Sequence, residues 1–241
     1  MREMTFAAPC HFGLESVLAG EMRRLDLEGV SAADGRVLFK GDEHALARAN
    51  LCLRTAERVL VLLGEFEAKT FTELFDQVRQ LPFEEFIGRQ DAFPVKGHSN
   101  KSQLHSVPDC QSIIKKAIVE RLKSHYHIGW FEETGATFQV QFTLRRDEAT
   151  LLIDTSGAGL HKRGYRQNAG GAPIKETLAA AMVDLTRARN AAHVYDPCCG
   201  SGTLLIEAAL AAKRIAPGIR RRFTFMDWDC VPDEVWRAER T

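Results

Sequence analysis

Val194-Tyr195-Asp196-Pro197-Cys198-Cys199-Gly200-Ser201-Gly202-Thr203 runs straight into Leu204-Leu205-Ile206-Glu207-Ala208-Ala209-Leu210. The pattern predicts a short strand at Val194, a tight glycine turn and then a helix. Two glycines let the backbone bend sharply and come close to a ligand, and the start of the following helix offers N–H groups to an anion. The loop has no Gly-Lys-Ser/Thr ending, so it does not read as the phosphate cradle of a nucleoside-triphosphate enzyme. Nor does it carry the third glycine of a dinucleotide fingerprint. A bare Gly-x-Gly is most often an ordinary turn; the specificity lies in the whole run.

The flanks add to it. Upstream stands Asp154-Thr155-Ser156-Gly157-Ala158-Gly159-Leu160-His161-Lys162-Arg163-Gly164-Tyr165-Arg166, followed by Ala172-Pro173-Ile174-Lys175-Glu176-Thr177-Leu178-Ala179-Ala180-Ala181. Downstream lies Ile215-Ala216-Pro217-Gly218. The loop resembles the first motif of S-adenosylmethionine-dependent nucleic-acid methyltransferases. In this order the three flanks resemble the bacterial THUMP-containing methyltransferases that modify the exocyclic amine of guanine in large-subunit ribosomal RNA. The resemblance covers essentially the whole chain and is strongest from Asp154 to Gly218.

Composition sets wide bounds. The 241 residues are 45% apolar, enough for one or two domains. Lys and Arg number 32, as do Asp and Glu, so any contact with nucleic acid must come from a local patch. The six cysteines form no C-x-x-C pair and no metal spacing. Reduced thiols in a cytoplasmic protein are the simplest reading, with Cys198 and Cys199 packing as small apolar groups. No signal-like or membrane-spanning apolar run occurs.

Three blocks follow from the patterning. In the first, strands at residues 4–7, 35–39 and 59–66 alternate with helices at 12–25 and 43–54, an α+β mixture of ferredoxin-like kind. The second opens on the capping box Thr70-Phe71-Thr72-Glu73, whose helix puts Phe71, Leu74, Phe75 and Val78 on one face. It continues with a strand at 92–96 and a helix from a second capping signature, Ser106-Val107-Pro108-Asp109, to about Ser124. A strand at 137–144 then alternates Phe138, Val140, Phe142 and Leu144, and Arg145-Arg146-Asp147 turns it back into 149–154. This order resembles a THUMP domain. The third block follows small residues at 156–159 and Gly170-Gly171, which read as a flexible connection. Ile174, Leu178, Met182 and Leu185 form an apolar helix stripe leading to the Val194 strand.

The expected architecture is therefore mixed α/β and α+β. A ferredoxin-like unit spans residues 1–66, a THUMP RNA-binding domain 67–155, a linker 156–172, and the start of an incomplete Rossmann-like methyltransferase domain 173–241. The resemblance implies S-adenosylmethionine as cofactor, held by Lys175, Thr177, Asp196, Pro197, Cys198, Gly200, Ser201, Gly202 and Thr203. It implies RNA as partner, touching Lys101, Ser102, Lys115, Lys116, Lys123, Arg163 and Arg166. His125 and His127 lack a carboxylate or cysteine at ligand spacing, so no metal is expected.

Two family elements are missing. The family carries an Asn-Pro-Pro-Tyr type motif that orients the guanine amine beside the methyl group, and an acidic strand end for the cofactor ribose. No Asn-Pro-Pro or Asp-Pro-Pro occurs in these residues, and Asp227 and Asp229 precede the place expected for the ribose partner. The chain reads as an N-terminal fragment of a longer enzyme, without catalytic residues of its own. Two other readings stay open: an RNA-binding protein in which the methylase part is only structural, and a transfer-RNA guanine-N2 methyltransferase.

Overall fold

In the computed structural model, which describes residues 3–165, 173–191 and 193–240, contacts divide the chain into two units. The first joins Met1–Val59 to Ala158–Met226 and Asp233–Thr241, and the second joins Leu60–Gly157 to Asp227–Pro232. The first 59 residues thus share a unit with the segment containing the glycine loop.

In the first unit, strand β1 (Met4–Pro9) pairs antiparallel with β3 (Arg36–Gly41), setting Phe6 opposite Phe39. Those two rings stack at 4.9 Å and are fully buried. Helices α1 (Glu15–Arg24) and α2 (Glu43–Cys52) bring Leu18, Met22, Leu46 and Leu51 into the same core. Helix α1 starts later than the apolar pattern suggests, because Gly13 takes φ +87° and residues 11–14 close a turn, leaving Phe12 exposed. Strand β2 (Glu28–Ala33) has no counterpart among the expected elements. Its side chains are almost all exposed, so it has no alternation to read. The available signal is Asp34-Gly35, a two-residue hairpin turn between Ala33 and its partner Arg36.

The second unit is a four-stranded sheet in the order β4-β7-β6-β5, built from β4 (Leu60–Glu67), β5 (Val95–Asn100), β6 (Val140–Arg145) and β7 (Glu148–Asp154). The β5–β6 pair is parallel and the others antiparallel. Gly97 in β5 permits that parallel pairing, since a Cβ there would lie 2.2 Å from the Phe142 carbonyl oxygen. Helices α3 (Phe71–Gln80) and α4 (Val107–Tyr126) supply Leu74, Val78, Ile114, Ile118 and Leu122 to a core shared with Phe138, Val140, Phe142 and Leu144. The capping box at Thr70 and Glu73 forms in both directions. The Ser106 signature does not: Ser106 occupies the cap position of α4 but makes no side-chain cap bond. Residues 227–232 return to this unit, where Trp228 stacks on Phe138 at 4.4 Å and donates to the Thr137 carbonyl at 3.1 Å.

Helices α5 (Glu176–Leu185) and α6 (Thr203–Ala212) pack together in the first unit, and α7 (Asp233–Ala238) completes it. Here several expectations need correction. Small residues at 156–159 do not make a loose connection: buried Asp154 accepts the N–H groups of Ser156 and Gly157 at 2.9 and 3.1 Å. Helix α5 buries Ala179, Ala180 and Val183 instead of the larger stripe, and Met182 and Leu185 stay exposed. Its small-residue face lets neighbouring helices approach closely. Finally, no strand forms at Val194. A strand needs a neighbour to receive its N–H and C=O groups, and none lies beside this segment among the described residues. Arg166 and Gly170-Gly171 lie outside the described residues.

Candidate cofactor-binding site

Residues 196–203 form the turn that the sequence predicts. The Asp196 carboxylate accepts the Cys198 N–H at 3.0 Å, an Asx turn that starts the bend, and the Gly202 N–H closes it on the Cys199 carbonyl at 2.7 Å. Gly200 and Gly202 take φ +48° and +71°, the left-handed region open to glycine. Gly202 is the N-cap of α6, which has no side-chain cap, and nothing lies within 4 Å of where its Cβ would be. The turn therefore presents a polar helix start toward open space. Ser201 and Thr203 share a hydrogen bond at 3.0 Å. Pro197, Cys198, Cys199, Gly200 and Ser201 are all exposed, so the two thiols are not packed as small apolar groups.

The loop is held from behind. One turn into α6, Glu207 is 0% exposed and accepts the Tyr165 hydroxyl at 3.0 Å. The Arg163 Nε lies 3.6 Å from the same carboxylate. Burial lifts the Glu207 carboxyl above its ordinary pKa, against the opposing pull of Arg163 and Tyr165. Arg163 does not lie on an RNA surface as expected; it is 5% exposed and donates to the carbonyls of Leu160 and Arg54 at 2.6 and 2.5 Å. Its guanidinium is spent inside the protein. The signal for this cluster lay in α6, where Glu207 is the lone charge in an otherwise apolar run.

A second cluster gathers at Glu57. Thr177, fully buried at the start of α5, donates its hydroxyl to Glu57 at 2.5 Å, and Lys175 lies 3.6 Å from the carboxylate. His11 and His161 approach it at 3.4 and 3.5 Å. Burial alone would raise the Glu57 pKa, but Thr177, Lys175 and the histidines outweigh it and the net shift is downward. Burial also draws the His161 imidazole below its ordinary value, with Glu57 resisting. Lys175 and Thr177, expected at the cofactor, are thus engaged in fixing the start of α5. Residues 11, 57, 161 and 175–177 are too far apart in the chain for any spacing rule to join them.

The first unit also contains a cleft of about 590 Å³ at the C-terminal turns of α1, α5 and α6. Two of its cations have structural partners: Arg24 pairs with Asp184 at 3.1 Å, and Arg54 donates to the Leu210 and Ile215 carbonyls at 3.3 and 2.5 Å. Cations at helix C-termini offset the negative end of the helix dipole. None of residues 196–203 lines this cleft.

The RNA candidates of the second unit are spread over two places. Lys101 and Ser102 lie in the loop after β5, with Lys101 exposed and Ser102 half-buried. On α4, Lys115 is paired with Glu133 at 2.6 Å and donates to the Phe93 carbonyl at 3.0 Å. Lys123 lies 3.8 Å from Glu120, and Lys116 stands exposed, 5.8 Å from the Phe75 ring centre. Among the described residues no group of three or more His, Cys, Asp and Glu is placed to hold a metal ion.

Comparison with known proteins gives three family matches. Residues 5–60 match the RlmL ferredoxin-like domain, 68–154 the THUMP domain, and 163–240 the RMKL-like methyltransferase domain. A Bacillus subtilis protein provisionally named RNA methyltransferase YpsC is 49% identical over 100% of this chain and 63% of its own length. The ribosomal RNA large subunit methyltransferase K/L of Aeromonas hydrophila is 35% identical over 97% of this chain and 33% of its own length. A Listeria monocytogenes crystal structure, described as a predicted N6-adenine-specific DNA methylase, superposes with a TM-score of 0.93 at 48% identity, covering 100% of this chain and 63% of that one. SMU.472, provisionally a methyltransferase and solved in complex with SAH, gives a TM-score of 0.92 at 40% identity, covering 100% and 64%. The chain spans less than two thirds of the length of these relatives. The chain thus carries a ferredoxin-like domain of the RlmL kind, a THUMP domain and an RMKL-like methyltransferase domain, and it is similar to proteins named as RNA methyltransferases.

Proposed function

We propose that the chain carries the cofactor loop and the RNA-binding module of an enzyme that moves a methyl group from S-adenosylmethionine to the exocyclic N2 amine of a guanine in 23S ribosomal RNA. The observation that supports this most is the turn at residues 196–203, with two left-handed glycines and an uncapped helix start facing open space. That arrangement suits the carboxylate of the cofactor's methionine end. Asp196 shapes the bend, Gly200 and Gly202 let the backbone approach, and exposed Ser201 is held at the helix start by buried Thr203. Lys175 and Thr177 fix the start of α5 through Glu57. When bound, the cofactor supplies a sulfonium methyl. Transfer would form the nitrogen–carbon bond as the methyl–sulfur bond breaks, with the proton of the amine passing to water. Positioning supplies most of the acceleration, and the target base must leave its stack to be reached.

The exocyclic amine of adenine, named in the Listeria description, offers the same geometry to a methyl donor. The THUMP match favours RNA over DNA. Residues 1–241 contain no Asn-Pro-Pro segment to orient the base, so turnover by these residues alone is expected to be undetectable. A cytoplasmic location fits an RNA substrate, and among the described residues no helix is long and apolar enough to cross a membrane. Nucleoside mass spectrometry of ribosomal and transfer RNA, from cells with and without the gene encoding this chain, tests the reading. Loss of N2-methylguanosine from 23S RNA is expected. Loss from transfer RNA instead would favour that substrate, and no change in either would favour the purely RNA-binding reading.

A further inference from the structure

Two turns of the second unit meet at one corner. The loop after β5 passes through Lys101, and the β6–β7 hairpin turns on Arg146 and Asp147. The Arg146 N–H donates to the Asn100 carbonyl at 3.2 Å, the Asp147 N–H to the Ser102 hydroxyl at 3.0 Å, and the Gln103 N–H to the Asp147 carboxylate at 2.7 Å. Three hydrogen bonds therefore fix the loop against the turn. Lys101, Arg146 and Asp147 lie at φ +53°, +54° and +67°, a region where glycine or asparagine relieves the strain of a side chain. Two of these three strained positions carry long cations, and both are exposed.

Strand β5 extends this surface, with Lys96 and His98 at its outward alternate positions. No ion pair joins Lys96, Lys101 or Arg146 to another described residue. Acidic groups lie nearby in Asp147 and Glu148, but Asp147 is engaged by the Gln103 backbone and side chain. Helix α4 differs. Lys115, Arg121 and Lys123 each face a carboxylate, from Glu133, Glu84 and Glu120. A cation already neutralised has little to gain from a phosphate, whereas an unpaired one gains the full release of counterions.

Resting on the RNA reading above, we propose that Lys96, Lys101 and Arg146 form the surface on which RNA phosphates lie, and that the paired Lys115 and Lys123 of α4 contribute little. Phosphate binding of this kind fixes orientation and carries no sequence information. The test is fluorescence anisotropy of the whole chain with a labelled single-stranded oligoribonucleotide over a range of salt concentrations. Joint change of Lys96→Ala, Lys101→Ala and Arg146→Ala should flatten the log–log salt slope by about two, at roughly 0.7 for each neutralised phosphate. Joint Lys115→Ala and Lys123→Ala should leave it nearly unchanged. Lys101→Gly separates binding from folding: with the backbone strain relieved, its melting temperature should hold or rise while affinity falls. A triple variant that keeps the parent slope, or an α4 variant that flattens it, overturns the siting alone. A parent chain that does not bind RNA overturns the RNA reading and the siting with it.

Discussion

Strand β6 and the segment at 194–195 were both expected as strands and end in opposite environments. In β6, Val140, Phe142 and Leu144 point into the core, with β5 and β7 hydrogen-bonded on either side. In the other segment Val194 is 45% and Tyr195 88% exposed, with no paired strand among the described residues. Yet the loop that follows is not adrift, because Glu207 anchors α6 from within. The difference shows two ways of positioning a backbone: lateral pairing in the second unit, and support from a buried polar cluster in the first.

The largest expected effect breaks the first of these. Phe142→Ala should destabilise the second unit by about 4 kcal/mol through the cavity it leaves. Tyr195→Ala should stay within about 0.5 kcal/mol. Denaturant melts of the two variants measure the contrast, and equal losses would erase it.

The second prediction breaks the other support. Glu207→Gln keeps the shape but leaves Arg163 buried without a counter-charge, which should cost about 3 kcal/mol. Tyr165→Phe removes one hydrogen bond to the same carboxylate and should cost about 1 kcal/mol. If Glu207→Gln melts like the parent, the cluster is not what holds α6.

A smaller effect concerns pH. Glu57 titrates below its ordinary 4.5 in the folded chain, so its contribution is present above that value and lost as pH falls through the folded value. His161 titrates below its ordinary 6.5, so the unfolded chain takes up the proton first and stability falls as pH drops through that window. Glu207, raised by burial, has the opposite sign near its own titration. His161→Gln should therefore reduce the drop in melting temperature on going from neutral to mildly acidic pH. A drop of the parent's size would remove His161 from the account.

What could be read from the sequence was what is local. The Thr70–Glu73 box lies within four consecutive residues, and the Arg145–Asp147 turn lies between an alternating strand and an apolar one, so both were legible. The position of β2 was hidden because its side chains face water, and its Asp34-Gly35 turn was the only mark. The Val194 strand failed for the converse reason: its apolar residues suit a sheet, but pairing depends on a neighbour the segment itself cannot reveal. Of the cofactor site, the turn was readable from its glycines and Asp196. Its support Glu207 showed only as a lone charge in an apolar run, because its partners Arg163 and Tyr165 come from a distant part of the chain.

The most direct test of the cofactor assignment is an amide NMR titration of the chain with S-adenosylhomocysteine. With the loop present but no ribose partner identified, the account predicts weak, saturable binding with a dissociation constant well above about 1 μM, equivalent to less than about 8 kcal/mol. The shifted resonances should belong to residues 196–204. Shifts centred on the α1–α5–α6 cleft, none at all up to millimolar ligand, or submicromolar affinity would contradict it.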